Sequence, residues 1–151
     1  MATTTTPSQI RKVLAARIVA AGLREATGPL GAEMEPSTTT DRSFDLVMGE
    51  DGDAGQRVVP GQYCRLQQAF TVHLAHSIRV KVGPPARDRA LEDKAAVMRC
   101  LLNRYDDALG GIEAAINYQG GTIEDRGGGA YLLTSMRWVI TYQLDLTAGV
   151  P

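Results

Sequence analysis

Two stretches of the chain alternate apolar and polar side chains with a period of two. In the first, Phe70, Val72, Leu74, His76, Ile78, Val80 and Val82 take one set of positions. Ala69, Thr71, His73, Ala75, Ser77, Arg79 and Lys81 take the other. Apart from His76 the first set is apolar, the mark of a half-buried strand, and Gly83-Pro84-Pro85 ends it. A break near Ala75–His76 is admitted, because strands usually run about 5–6 residues. In the second stretch, Met136, Trp138, Ile140, Tyr142, Leu144 and Leu146 alternate with Ser135, Arg137, Val139, Thr141, Gln143 and Asp145. A weaker strand is expected over Ile116–Glu124, with Gly120-Gly121 inside it. Gly127-Gly128-Gly129 then supplies the turn of a hairpin.

Helical spacing occupies two other regions. From Pro7 to about Arg24, Ile10, Val13, Leu14, Ile18 and Ala21 form one apolar stripe that Arg17 interrupts. Thr6 and Gln9 have capping-box spacing, Pro7 suits the first helical position, and Gly22 and Gly28-Pro29 mark the end. A second helix is expected over Arg89–Asn103, capped by Asp88, with Leu91, Ala95, Met98 and Leu102 as its core face and Val97 and Leu101 beside it. Asp106–Ala115 continues as a short helical turn broken by Gly110-Gly111. Between Glu25 and Gln62 periodicity is lost amid Thr38-Thr39-Thr40, Pro36, Pro60 and several glycines. There only Phe44, Leu46 and Met48 suggest a short edge strand. The order helix, loop, strand, helix, strand, strand predicts an α+β fold. One antiparallel sheet, with mixed pairing admitted, carries two main helices on one face, in a single domain with a flexible insert at about 25–62.

Composition fits that reading. A chain of 151 residues suits one core, and 44% hydrophobic with 22% charged residues are ordinary globular values. A net charge of −1 gives no bulk drive toward nucleic acid or anionic membrane. The chain has no apolar run of about 18 residues to span a bilayer, and Met1-Ala-Thr-Thr-Thr-Thr-Pro7 lacks the features of a secretory signal. Cys64 and Cys100 are far apart and without metal-ligand spacing, so two free thiols in a reducing compartment are expected.

Catalytic chemistry is hard to assemble from these residues. His73 and His76 stand three apart on a strand and point to opposite faces, so they cannot clamp one ion; His76 is expected as a satisfied core or interface histidine. Asp51-Gly-Asp53-Ala-Gly55 begins like a calcium loop, but Gln56 and Gln62 stand where glycine and glutamate are required. Gly127–Gly129 lacks the Lys-Ser/Thr of a phosphate loop. No nucleophile elbow occurs, Cys64 has no evident partners, and Asp106-Asp107 is better read as solvated surface. No enzymatic activity, cofactor or metal is therefore expected.

The alternating runs suggest self-association. A run of about 12–14 residues extends roughly 40–45 Å at about 3.3 Å per residue, against a domain roughly 30 Å across. Apolar stripes that outrun their own core would be covered by neighbouring copies.

The whole ordering resembles the tail-terminator (tail-completion, neck) proteins of long-tailed bacteriophages. The matching pieces are the N-terminal amphipathic helix Ile10–Leu23, the insert, the strand and charged loop Phe70–Arg89, and the helix Leu91–Leu102. The closing hairpin, Ile116-Asn-Tyr-Gln-Gly-Gly followed by Tyr131-Leu-Leu-Thr-Ser-Met-Arg-Trp-Val-Ile-Thr-Tyr-Gln-Leu, carries the likeness furthest. It is a likeness of pattern over most of residues 7–147, with no invariant motif.

The resemblance implies a non-catalytic virion protein, assembled in the host cytoplasm, that forms a homohexameric ring. Such a ring caps the tail tube and meets the head connector, with DNA only passing through its lumen. Glu50, Asp51, Asp53 and Arg57 in the insert, and Arg87, Asp88 and Arg89 after the first long strand, are then the candidate partner-contact residues. A head-closure or tail-tube-like component is the nearest alternative. A small-molecule-binding or enzymatic α+β domain is the more remote one.

Overall fold

The computed structural model describes residues 7–26, 41–53, 63–78, 83–102, 115–126 and 131–145. Helix α1 spans Pro7–Ala20 and is followed by β1 (Arg24–Glu25), β2 (Ser43–Asp53) and β3 (Tyr63–Ser77). Helix α2 spans Ala86–Leu102, and β4 (Ala115–Arg126) and β5 (Tyr131–Asp145) close the chain. The strands form one five-stranded sheet in the order β1-β2-β3-β5-β4. β1 runs parallel to β2 and the other pairs are antiparallel, so the sheet is mixed and the class is α+β.

The backbone of the sheet is the β3–β5 pair. It is in register over all fifteen residues, from Tyr63 opposite Asp145 to Ser77 opposite Tyr131. Phe70, Val72 and Leu74 on β3 and Met136, Trp138, Ile140 and Tyr142 on β5 share one core cluster with Phe44 and Leu46 of β2. Ile10, Leu14, Ala15 and Ile18 of α1 and Val97 and Leu101 of α2 belong to the same cluster. Phe70 stacks on Trp138 at 6.1 Å between ring centres, and Tyr118 of β4 tilts against Trp138 at 4.9 Å.

Several expectations are corrected. The first long strand begins earlier and ends sooner than Phe70–Val82, with Ile78 already in a turn and residues 79–82 outside the described set. Phe44–Met48 belongs to an eleven-residue strand that lies inside the sheet, with the two-residue β1 at the edge. Helix α1 stops at Ala20, where Gly22 at φ 102° takes the left-handed turn. Helix α2 opens at Ala86, so Asp88 lies in its first turn and is not its cap. Its buried face is Ala90, Asp93, Val97 and Leu101, whereas Leu91 and Leu102 are 50% and 41% exposed. The N-cap Thr6, the short helix expected from Asp106 onward and the triple-glycine turn lie outside the described residues. Ala115, expected to end that short helix, already opens β4.

The apolar stripes of the long strands also behave differently from expectation. On β3 every second residue from Gln68 to His76, and on β5 every second residue from Leu132 to Tyr142, is buried within the single chain. The protein therefore covers this face itself.

Two glycines shape β4. Gly120 sits at φ 121° where the β4–β5 register shifts, and a Cβ on Gly121 would run into the carbonyl oxygen of Ser135 and the Tyr118 hydroxyl. Within the described residues no helix is long and apolar enough to cross a membrane.

Candidate functional site

Polar side chains gather at one end of the sheet, where the start of β2, the end of β3 and the first turns of α2 meet. Asp93 is at the centre. Its Oδ2 lies 2.7 Å from His76 Nε2, and the Arg42 guanidinium donates to both carboxylate oxygens at 3.0 Å. This is a bidentate Arg–carboxylate fork with an imidazole on one of its oxygens. His76 is wholly buried, and its Nδ1 has no partner within the described residues.

Burial pushes the Asp93 carboxyl upward. The hydrogen bonds from His76 and Arg42 and the charge of Arg42 outweigh that push, and the group is held below its ordinary pKa. The hydrogen bond to Asp93 raises the Arg42 guanidinium above its usual value.

Local backbone geometry places Arg42. At φ 56° it occupies the left-handed region that most side chains avoid. In that conformation its N–H donates to the Ala75 carbonyl at 2.8 Å and its carbonyl accepts from Arg24 N–H at 3.2 Å. A second bracket lies alongside. Asp41 Oδ1 accepts from the Ser77 backbone N–H at 2.9 Å and from Arg89 at 3.3 Å. The Arg89 guanidinium also donates to the carbonyls of Ser77 and Pro84. Together these bonds tie α2 and the β3 end to the start of β2.

His73 lies on the opposite face of β3 and makes a separate pair, with Nδ1 2.6 Å from Asp45 Oδ1 of β2. Each histidine thus has its own carboxylate, and the described residues contain no group of three or more acids, histidines or cysteines able to hold a metal ion. Ser135 is the cross-strand neighbour of His73, so Asp45, His73 and Ser135 form one row across β2, β3 and β5. The contacts of this row are those of a paired histidine; His73 and Ser135 share no hydrogen bond among those described.

Beyond this row the face opposite the core cluster opens. Val47 is 46% exposed, Thr71, Val139 and Thr141 are half-buried, and Arg137 and Asn117 are exposed. At the end of the sheet that carries the Asp93 cluster, Ala75, Tyr131 and Leu133 form a small buried cluster against which Ala26 packs.

The candidate contact residues do not converge. Glu50 and Asp51 are exposed near the far end of β2, at the shift in its register with β3. Asp53 is the last residue of β2, and Arg57 lies outside the described residues. Arg87 and Asp88 are exposed in the first turn of α2, at the opposite end of the sheet from Glu50. Arg89 is placed differently from these. Its guanidinium turns inward to Asp41, Ser77 and Pro84, which makes it a brace between elements and not a free loop charge.

Sequence reading found His76 but missed Arg42, Asp45 and Asp93 as its and His73's surroundings. The one available signal was a lone aspartate, Asp93, on the α2 stripe that carries Ala90, Val97 and Leu101. Cys100 is a free thiol whose pKa is raised by burial. A comparison with protein-family models gives no match, and a comparison with curated proteins likewise gives none.

Proposed function

We propose that this chain is a structural subunit of a long-tailed phage virion, a tail terminator that forms a ring on the finished tail tube and joins it to the head connector. In this reading it has no catalytic role, it assembles in the host cytoplasm, and DNA only passes through the ring. Both helices cover one face of the sheet, and the other face is left to neighbouring copies. One observation carries the reading: from Gln68 to His76 and from Leu132 to Tyr142 the chain buries one sheet face itself, while on the other face Val47 and Arg137 are exposed and Thr71 and Val139 half-buried across three long strands. With Val47 exposed and Val139 half-buried, that face offers a ring of copies a surface on which to pack. The order of a helix, extended strands, a second helix and a closing hairpin agrees with the resemblance in sequence.

The polar groups present fit a structural part. Both histidines are engaged by aspartates, and the cluster around Asp93 fastens elements together without opening onto a cleft at His76. Negative-stain microscopy of the purified protein tests the proposal. A six-fold ring with a hole wide enough for duplex DNA supports it. Polymerisation into tubes points to a tube component instead, and a monomer at high micromolar concentration in light scattering refutes it.

A further inference from the structure

We infer that Arg137, in the middle of the open sheet face, receives a carboxylate from the acidic end of β2, Glu50 and Asp51, in a second copy of this chain. The inference rests on the ring reading above and names the contact that would build it.

Arg137 is exposed, and its cross-strand neighbours are Thr71 on β3 and Gly120 on β4. A Cβ on Gly120 would lie 3.5 Å from Arg137 Nη2, so the guanidinium rests over the one residue of β4 that has no side chain and adopts a positive φ. Within the described residues no hydrogen bond or ion pair reaches this guanidinium. The other charged residues described on the same face have contacts of their own: Asp45 with His73 at 2.6 Å, Glu124 with Arg126 at 3.0 Å, and Arg24 with the Asp41 carbonyl at 3.2 Å. Among the described residues Arg137 therefore stands at the centre of the face without a partner, with the hydroxyls of Thr71 and Ser135 on adjoining positions. A planar guanidinium in such a setting is suited to a carboxylate, which it grips through two parallel hydrogen bonds.

A complementary charge is present elsewhere on the sheet. Glu50 and Asp51 are exposed at the register shift of β2, and within the described residues neither has a partner. β5 lies two strands from β2, a separation of about 10 Å across the sheet, and Arg137 is level with Val47 and not with Glu50. The pair is not closed within the chain, since no ion pair between these residues occurs among the described ones. Between two copies it joins different surfaces of the same protein, a head-to-tail contact that repeats until the rotation closes a ring.

Sedimentation velocity on the full chain tests this with Arg137→Glu and with the pair Glu50→Lys and Asp51→Lys. All three sites are exposed, so circular dichroism is expected to match wild type. Each variant alone is expected to weaken self-association by about tenfold or more, because like charges then face each other across the contact. Mixing the two variants is expected to restore assembly, since each then meets an opposite charge, and added salt is expected to weaken the wild-type contact. If wild type assembles and either variant assembles equally well, or if mixing restores nothing, the contact is wrong while the ring reading stands. A wild-type chain that never associates overturns both.

Discussion

Replacing Asp93 with alanine removes the acceptor on which Arg42 and His76 both depend, and its effect can be estimated from the surroundings of each partner. His76 is wholly buried with Nδ1 already unpartnered, so losing the bond at Nε2 leaves the ring without any described partner, at a cost of about 1–3 kcal/mol. The Arg42 side chain is 46% exposed, and solvent screens its bonds to about 0.2–1 kcal/mol. The sum is about 1–4 kcal/mol, to be set against the roughly 5–15 kcal/mol that holds a domain together. For a chain of this size it lowers Tm by between about 2 and 16 °C. Urea unfolding followed by fluorescence is a suitable assay, because Trp138 is the only tryptophan and is buried against Phe70.

The pH dependence supplies an independent check. The folded Asp93 carboxyl lies below its ordinary pKa, so its contribution is fully present above the unfolded value and is lost as pH falls through the folded one. The gap between wild type and Asp93→Ala is therefore expected to be full at neutral pH and to shrink below about pH 4. A difference under about 0.5 kcal/mol at neutral pH, or a gap unchanged in acid, refutes the reasoning.

Other outcomes follow from burial and backbone geometry. Val97→Ala and Leu101→Ala are each expected to cost about 2–4 kcal/mol in urea unfolding, whereas Leu91→Gln and Leu102→Gln, at exposed positions, stay within about 0.5 kcal/mol of wild type. Gly121→Ala drives a methyl group into the Ser135 carbonyl, part of a paired backbone that yields little, and is expected to cost about 1–3 kcal/mol in the same assay.

The sheet was legible where one face is covered and the other is open. Alternation at Phe70–His76 and Met136–Tyr142 reports that asymmetry directly, and those residues are buried as the pattern requires. The early part of β3 was not legible, because Arg65, Gln67 and Gln68 break the alternation while backbone pairing to β5 continues beneath them. β2 past Met48 was hidden for a similar reason. Gly49-Glu-Asp-Gly52 reads as a loop, yet the strand resumes its pairing with β3 after a register shift, helped by Gln68 Nε2 donating to the Gly49 carbonyl at 2.7 Å. The polar cluster was invisible because Arg42, His76 and Asp93 are brought together from distant parts of the chain by the fold itself.

The misreading of α2 follows from that cluster. Leu91, Ala95, Met98 and Leu102 form the more apolar stripe, and counting apolar residues selects it. The buried stripe, Ala90, Asp93, Val97 and Leu101, is displaced by one residue, about 100° around the helix, and contains an acid. Turning the more apolar stripe inward would carry Asp93 away from His76 and Arg42, leaving the buried imidazole without its carboxylate. The orientation of α2 is thus set by one buried polar residue at the expense of two exposed leucines, as buried polar groups fix register in some other folds. If so, Asp93→Ala does more than destabilise: it removes the reason for the helix to keep Leu91 and Leu102 outside. Nuclear Overhauser contacts from the Leu91 methyls to core residues such as Phe70 are expected to appear in the variant and to be missing in wild type. A variant whose helix keeps the same face inward shows that packing at Val97 and Leu101 is sufficient by itself.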